Sequence, residues 1–279
     1  RMDPRNFAAH YNLGLIYLRQ KKMNEAAAEL DAANQIQPGN TELLEQLGDI
    51  YTFEKQHEKA VAAYKAAVKT AANKSTLYGK IGFGLANMNR LDDAVAALET
   101  SAHLDSKVPD TYSLLGDLYS ELKREDEAIV AYRKSLALDP KQKDVHYNLG
   151  TLYAEQKKLD EALAELQTAT KLDPDDAAAW SNTAFVAEQL NLDADAIRAH
   201  EKVIALGKAK ATTYFHLGVL YAKTDQPDLS IENFTRAIEL EPDKYRAMLR
   251  EELKKVHSVL DSVRYKEKFV RLMALPSAK

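Results

Sequence analysis

The sequence predicts an all-α chain of stacked helix pairs, an α-solenoid, on three observations. Glycine recurs on a grid of 34 residues, at Gly14, Gly48, Gly82, Gly116, Gly150 and Gly218, with Ala184 at the one vacant point. Each interval carries two stripes of core-type residues at helical spacing, as in Tyr112, Leu115 and Tyr119 and then Ala128, Tyr132 and Ser135. Ala, Leu, Glu and Lys dominate, while 10 Gly and 8 Pro in 279 residues leave few helix breakers. A repeat of this size cannot bury its apolar faces alone, so neighbours must stack.

In chain order, residues 1–6 read as the remnant of an earlier repeat. Pro4 stands 34 residues before Pro38, and Met2-Asp3-Pro4 matches Leu138-Asp139-Pro140, so the parent protein is expected to continue upstream. Seven units follow, at 7–40, 41–74, 75–108, 109–142, 143–176, 177–210 and 211–244. Within each, a small residue sits twelve positions after the glycine point: Ala26, Ala60, Ala94, Ala128, Ala162, Ala196 and Ser230. Polar turns such as Gln20-Lys21-Lys22 and Lys157-Lys158 separate the two helices. Pro38, Pro140, Pro174 and Pro242 stop second helices. Units two, three and six carry Ala72, Ser106 and Lys208 instead, and unit six also departs at Thr183, Ala184, Ala187 and Val203, so its packing is expected to be less regular. From Tyr245 the pattern breaks. Residues 245–279 read as capping helices, with Met248, Leu249, Leu253, Val256, Leu260 and Val263 on one apolar face and a shorter helix over 265–275.

The 34-residue period, the alternation of small and aromatic residues and the terminal Asp-Pro resemble the tetratricopeptide repeat family. That resemblance implies a right-handed superhelix with the first helices lining a concave side, and it implies a protein- or peptide-binding scaffold. Counting from each repeat's first residue, positions four, seven and eleven face the core. Positions two, five, nine and twelve form a different stripe, which should line the groove, with six and thirteen at its edges. The residues expected to bind a peptide there are Tyr11, Asn12, Glu45, Asp49, Lys80, Phe83, Asp117, Tyr147, Asn148, Asn182, Phe185, Phe215 and His216. Asn12, Asn148 and Asn182 share the sixth position, where an amide can donate to and accept from a peptide backbone; related asparagine ladders hold extended peptides in some members. Tyr11, Phe83, Tyr147, Phe185 and Phe215 put rings on a face that should otherwise be wet. The groove positions hold nine Asp/Glu against three Lys/Arg, which favours a basic partner.

Other functions are disfavoured. Members that clamp a chaperone's C-terminal carboxylate use lysine and arginine at set groove positions, whereas the fifth positions here contain no lysine and Lys80 stands alone. The net charge of −4 lacks the basic excess of nucleic-acid binders. No run of residues is apolar enough for a membrane span. With no cysteine, no HExxH, no phosphate loop and histidines read as core or scattered, no catalytic, cofactor or metal site is expected. The absence of cysteine suits cytoplasm and periplasm equally, and no targeting signal is present in this sequence. Two rivals remain. Residues 245–279 carry nine Lys/Arg and four Asp/Glu against an acidic body, which would suit self-association through the tail. Alternatively the chain is the interaction domain of a larger enzyme or membrane-anchored protein.

Overall fold

A computed structural model describes residues 6–255. The remnant at the N-terminus, the 265–275 helix and most of the basic tail lie outside the described residues. Those described form fifteen helices and no strand. They divide into two compact units, meeting in sequence at Pro140 and Lys141. No described helix is long and apolar enough to cross a membrane.

The first unit holds α1 (Phe7–Arg19), α2 (Met23–Ile36), α3 (Thr41–Phe53), α4 (His57–Val68), α5 (Ser75–Asn87), α6 (Leu91–Leu104), α7 (Pro109–Glu121) and α8 (Glu125–Leu138). The second holds α9 (Lys143–Glu155), α10 (Leu159–Leu172), α11 (Ala177–Gln189), α12 (Asp193–Ala205), α13 (Ala211–Lys223), α14 (Pro227–Leu240) and α15 (Pro242–Lys255). Within each unit, consecutive helices pack against one another in chain order. Local chemistry fixes several starts. Asn6, Asn40 and Asp176 cap α1, α3 and α11 by accepting backbone N–H groups, and Pro109 and Pro227 occupy first turns.

The turn between the two helices of a repeat is the same seven times. Lys21, Lys55, Asn89, Lys123, Lys157, Asn191 and Asp225, all at position fifteen, have φ between 55° and 60°. Left-handed backbone costs a non-glycine residue roughly 1–2 kcal/mol, but here it closes a Schellman motif. The N–H of Lys55 donates to the Thr52 carbonyl and that of Gln56 to the Tyr51 carbonyl, at 3.0 and 2.7 Å, and each of the other turns repeats the pattern.

Position eight is small because position twenty-four needs its space. A Cβ added to Gly48 or Gly116 would lie 2.2 or 2.4 Å from the ring of Tyr64 or Tyr132. At Gly14, Gly82 and Gly150 it would meet Leu30, Leu98 and Leu166 at 2.5–2.8 Å, and at Gly218 it would meet Phe234 at 2.7 Å. The alanines at position twenty, Ala26 through Ala196, are fully buried beside this contact, and the buried Ser230 donates to the Gly218 carbonyl at 2.7 Å. Repeat six has Ala184 at position eight and His200, an imidazole, at position twenty-four.

Polar bonds tie successive repeats across their seams. The hydroxyls of Tyr51, Tyr119 and Tyr221 each donate at 2.6 Å to a carboxylate of the preceding repeat: Asp31, Glu99 and Glu201. Within repeats, His10 pairs with Glu29 and His146 with Glu165. At the end of the second unit, Tyr245 and Leu249 of α15 are buried against α13 and α14, with the Tyr245 and Phe234 rings each 5.4 Å from that of Phe215. Pro242 opens α15, and Met248 lies at its exposed edge.

Two expected outcomes follow from this packing. Gly116→Ala should lower stability by about 1–3 kcal/mol, because overpacking outweighs the gain in helix propensity; a urea titration with an unchanged slope reads it. The second outcome concerns alkaline pH. Burial, then the hydrogen bond to and the charge of the acceptor carboxylate, raises the pKa of Tyr51, Tyr119 and Tyr221, that of Tyr119 to about 12. Unfolded tyrosine ionises near pH ~10, so this stabilisation is complete below that pH and is lost as pH rises through the folded values. The melting temperature should therefore fall above pH ~10, and Tyr119→Phe should make that fall shallower.

Candidate functional site

The exposed stripe of the first helices collects polar and aromatic side chains. In the first unit, Tyr11 is half-buried and stacks on Phe7 at 5.6 Å, while Asn12 is exposed. Lys80 of α5 reaches back to α3, donating to Glu45 at 2.8 Å and to Asp49 at 2.7 Å. Asp49 also accepts from Tyr64 at 2.7 Å. Burial works against the Lys80 ammonium, but its bonds to Asp49 and Glu45 outweigh that and hold its pKa above the usual lysine value. In the next repeat Asp117 is exposed and accepts from Tyr132 at 2.7 Å. Phe83 is 43% exposed.

Between these side chains the groove deepens into a cavity of about 410 Å³. Leu98, Val108 and Leu114 are among its apolar lining, together with Phe83, and Asp49, Lys80 and Asp110 are among its charged lining. The buried Ser75, Ser101 and Thr111 bring hydroxyls to it, already bonded among themselves. Gly79 makes the room. The fifth residue of the other repeats is Tyr11, Glu45, Ser113, Tyr147, Ser181 or Phe215, and only here is it glycine. A Cβ at Gly79 would meet nothing closer than Ser101 Oγ at 3.6 Å, unlike the tight glycines at position eight.

Larger hollows exist on the second-helix side. One of about 500 Å³ lies between α6 and α8, by Tyr112, Tyr119 and Val130. Another of about 560 Å³ lies between α12 and α14, by Tyr214, Tyr221 and Arg236. Most of their lining positions coincide, among them Tyr112, Leu115 and Tyr119 in one and Tyr214, Leu217 and Tyr221 in the other, so these hollows follow from the period. The cavity beside Gly79 follows from a departure from it.

In the second unit, Asn182 donates to Tyr147 Oη at 3.3 Å and to Thr151 Oγ1 at 3.2 Å, joining two repeats. Asn148 and Tyr147 are half-buried, and Phe185 is 53% exposed. Phe215 is a correction. It is 5% exposed and packed against Phe234 and Tyr245, because α15 supplies the apolar surface that covers it, so it belongs to the core.

The sequence placed His200 in an aromatic slot of a second helix and His216 at the groove edge, with nothing to join them. The structure joins them: Glu188 accepts from His216 Nδ1 at 2.7 Å and from His200 Nε2 at 2.6 Å. Burial alone would raise the Glu188 carboxyl, but the two imidazoles reverse that and bring it down to about 2. The signal was on the 34-residue grid: His200 fills the slot that is Leu, Tyr or Phe in every other repeat.

Tetratricopeptide repeat family models match at 123–184, at 1–41 and 84–143, and at 41–74 and 211–244. The chain belongs to the tetratricopeptide repeat family. No curated protein matches it in sequence. Solved structures similar to this tetratricopeptide chain include the C-terminal part of a repeat protein from Cytophaga hutchinsonii, at 16% identity and TM-score 0.70, covering 84% of this chain and 97% of that one. YrrB, described as a tetratricopeptide protein with an unusual peptide-binding site, matches at 24% identity and TM-score 0.62, covering 71% and 100%. MamA from Desulfovibrio magneticus matches at 20% identity and TM-score 0.57, covering 63% and 98%. At these identities the likeness establishes the fold. For tetratricopeptide repeats generally, that fold is a protein-interaction scaffold.

Proposed function

We propose that this scaffold binds an extended peptide segment along the first helices of its first unit, anchoring one apolar side chain in the cavity beside Gly79. The observation that carries the reading is the combination of a missing side chain at position five, an apolar lining and an exposed Phe83 at the mouth. Asp49 and Asp110, both exposed, border the same opening, and the groove positions hold an acidic surplus. The partner's anchor is therefore flanked by lysine or arginine, and its charge steers the encounter. In the second unit, Tyr147, Asn148, Asn182 and Phe185 present amide and aromatic groups suited to a peptide backbone and its side chains. The described contacts supply binding groups, and the activity we assign is recognition.

Gly79 separates stability from binding. An interior helical glycine costs about 0.5–1 kcal/mol relative to alanine, and the space around Gly79 accepts a methyl group. Gly79→Ala should thus melt higher than the parent, opposite to Gly116→Ala. Gly79→Leu should remove binding of peptides selected from a displayed library on the parent chain, with the helical content retained. Binding should also weaken as salt rises. Selected peptides that bind Gly79→Leu as well as the parent would refute the cavity assignment.

A further inference from the structure

The cluster in repeats six and seven is independent of the peptide reading. Three consecutive helices each contribute one donor: Glu188 from α11, His200 from α12 and His216 from α13. The carboxylate and the two ring nitrogens all lie within 4.8 Å of one another. The other histidine–glutamate pairs, His10 with Glu29 and His146 with Glu165, bring one imidazole to one carboxylate and serve as internal controls. Only here, among the described residues, do three such donors converge.

We propose that Glu188, His200 and His216 bind a divalent transition-metal ion, with zinc the best fit. Two imidazole nitrogens and one carboxylate oxygen suit zinc, nickel or copper and do not suit magnesium or calcium, which take oxygen donors. The same number and kind of donors hold zinc with one tetrahedral position left open. The geometry needs little change. Oε1 of the carboxylate now stands 2.6 Å from His200 Nε2 and Oε2 stands 2.7 Å from His216 Nδ1, each contact shared through one proton. Zinc with bonds of about 2.0–2.2 Å spreads tetrahedral donors to roughly 3.4 Å, so each carboxylate–imidazole contact opens by less than about 1 Å, while the widest donor separation, now within 4.8 Å, closes toward that value. The ion replaces the protons facing Glu188. They leave to solvent or move to the far nitrogen of each ring, and the imidazoles bind as neutral ligands.

The surroundings favour this use. The side chains of His200 and Glu188 are 10% and 19% exposed, so packing fixes two donors, while His216 at 41% gives the ion a route in from solvent. Ala184 and His200 depart together from the glycine and large apolar or tyrosine residue used elsewhere. That paired exchange puts a ligand-bearing ring where other repeats keep packing bulk. The fourth coordination position is left for water or for a donor from outside the chain.

The test is calorimetric titration of the full chain with Zn2+ near neutral pH, paired with the visible absorption of a Co2+ complex. The expected result is one saturable equivalent, a tetrahedral Co2+ spectrum and a higher melting temperature with zinc. His216→Ala, exposed enough to leave the fold intact, and Glu188→Gln should each weaken zinc binding by at least about tenfold, whereas His146→Ala should leave it unchanged. Absence of a saturable equivalent, or a His216→Ala variant that binds zinc as the parent does, would overturn the site.

Discussion

A glycine on the first helix of a repeat and a large side chain on the second compete for one volume, and the fold depends on how that competition is settled. Where position eight has no side chain, Leu30, Tyr64, Leu98, Tyr132, Leu166 and Phe234 lie against bare backbone. Close approach of the two helices then allows the alanine at position twenty to be fully buried. The left-handed residue at position fifteen returns the chain at the right distance for that contact. Packing of this density penalises an added methyl group at position eight wherever Leu, Tyr or Phe stands at position twenty-four, which explains a glycine that helix propensity alone would disfavour.

The same constraint shows where binding groups can arise. First-helix positions two, five, nine and twelve take no part in the glycine contact, so they vary without breaking the stack. In repeat three this freedom removes a side chain at Gly79 and opens a cavity. In repeat six both positions of the contact change, to Ala184 and His200, and an imidazole comes to Glu188 and His216. Both candidate sites sit where one repeat differs from its neighbours, while hollows that recur with the period are products of packing.

The fold class was legible because its determinants are periodic. Glycine recurs at six of seven grid points, and the buried small residues and helix stripes recur in all seven repeats, so one sequence carries its own comparison. The site was less legible because its residues are joined across repeats. The stripe rule placed Phe83 and Phe185 on an exposed face, but it placed Phe215 there too, since it could not see that Tyr245 and Leu249 would cover that ring. It identified Lys80 and the acids around it without showing that Glu45 and Asp49 already hold its charge. It assigned His200 and His216 to separate roles because they lie sixteen residues apart on different helices. Ser101 and Leu98 come from a second helix, which a rule confined to first helices passes over.

The central claim is that recognition uses the first-helix face at the point where Gly79 leaves it open. A crystal structure of the chain with a library-selected peptide tests this most directly. The account predicts a peptide lying on α5 and α7, with one apolar side chain between Gly79, Phe83 and Leu114. A peptide seated instead in the hollow between α6 and α8, against Tyr112 and Val130, would contradict it.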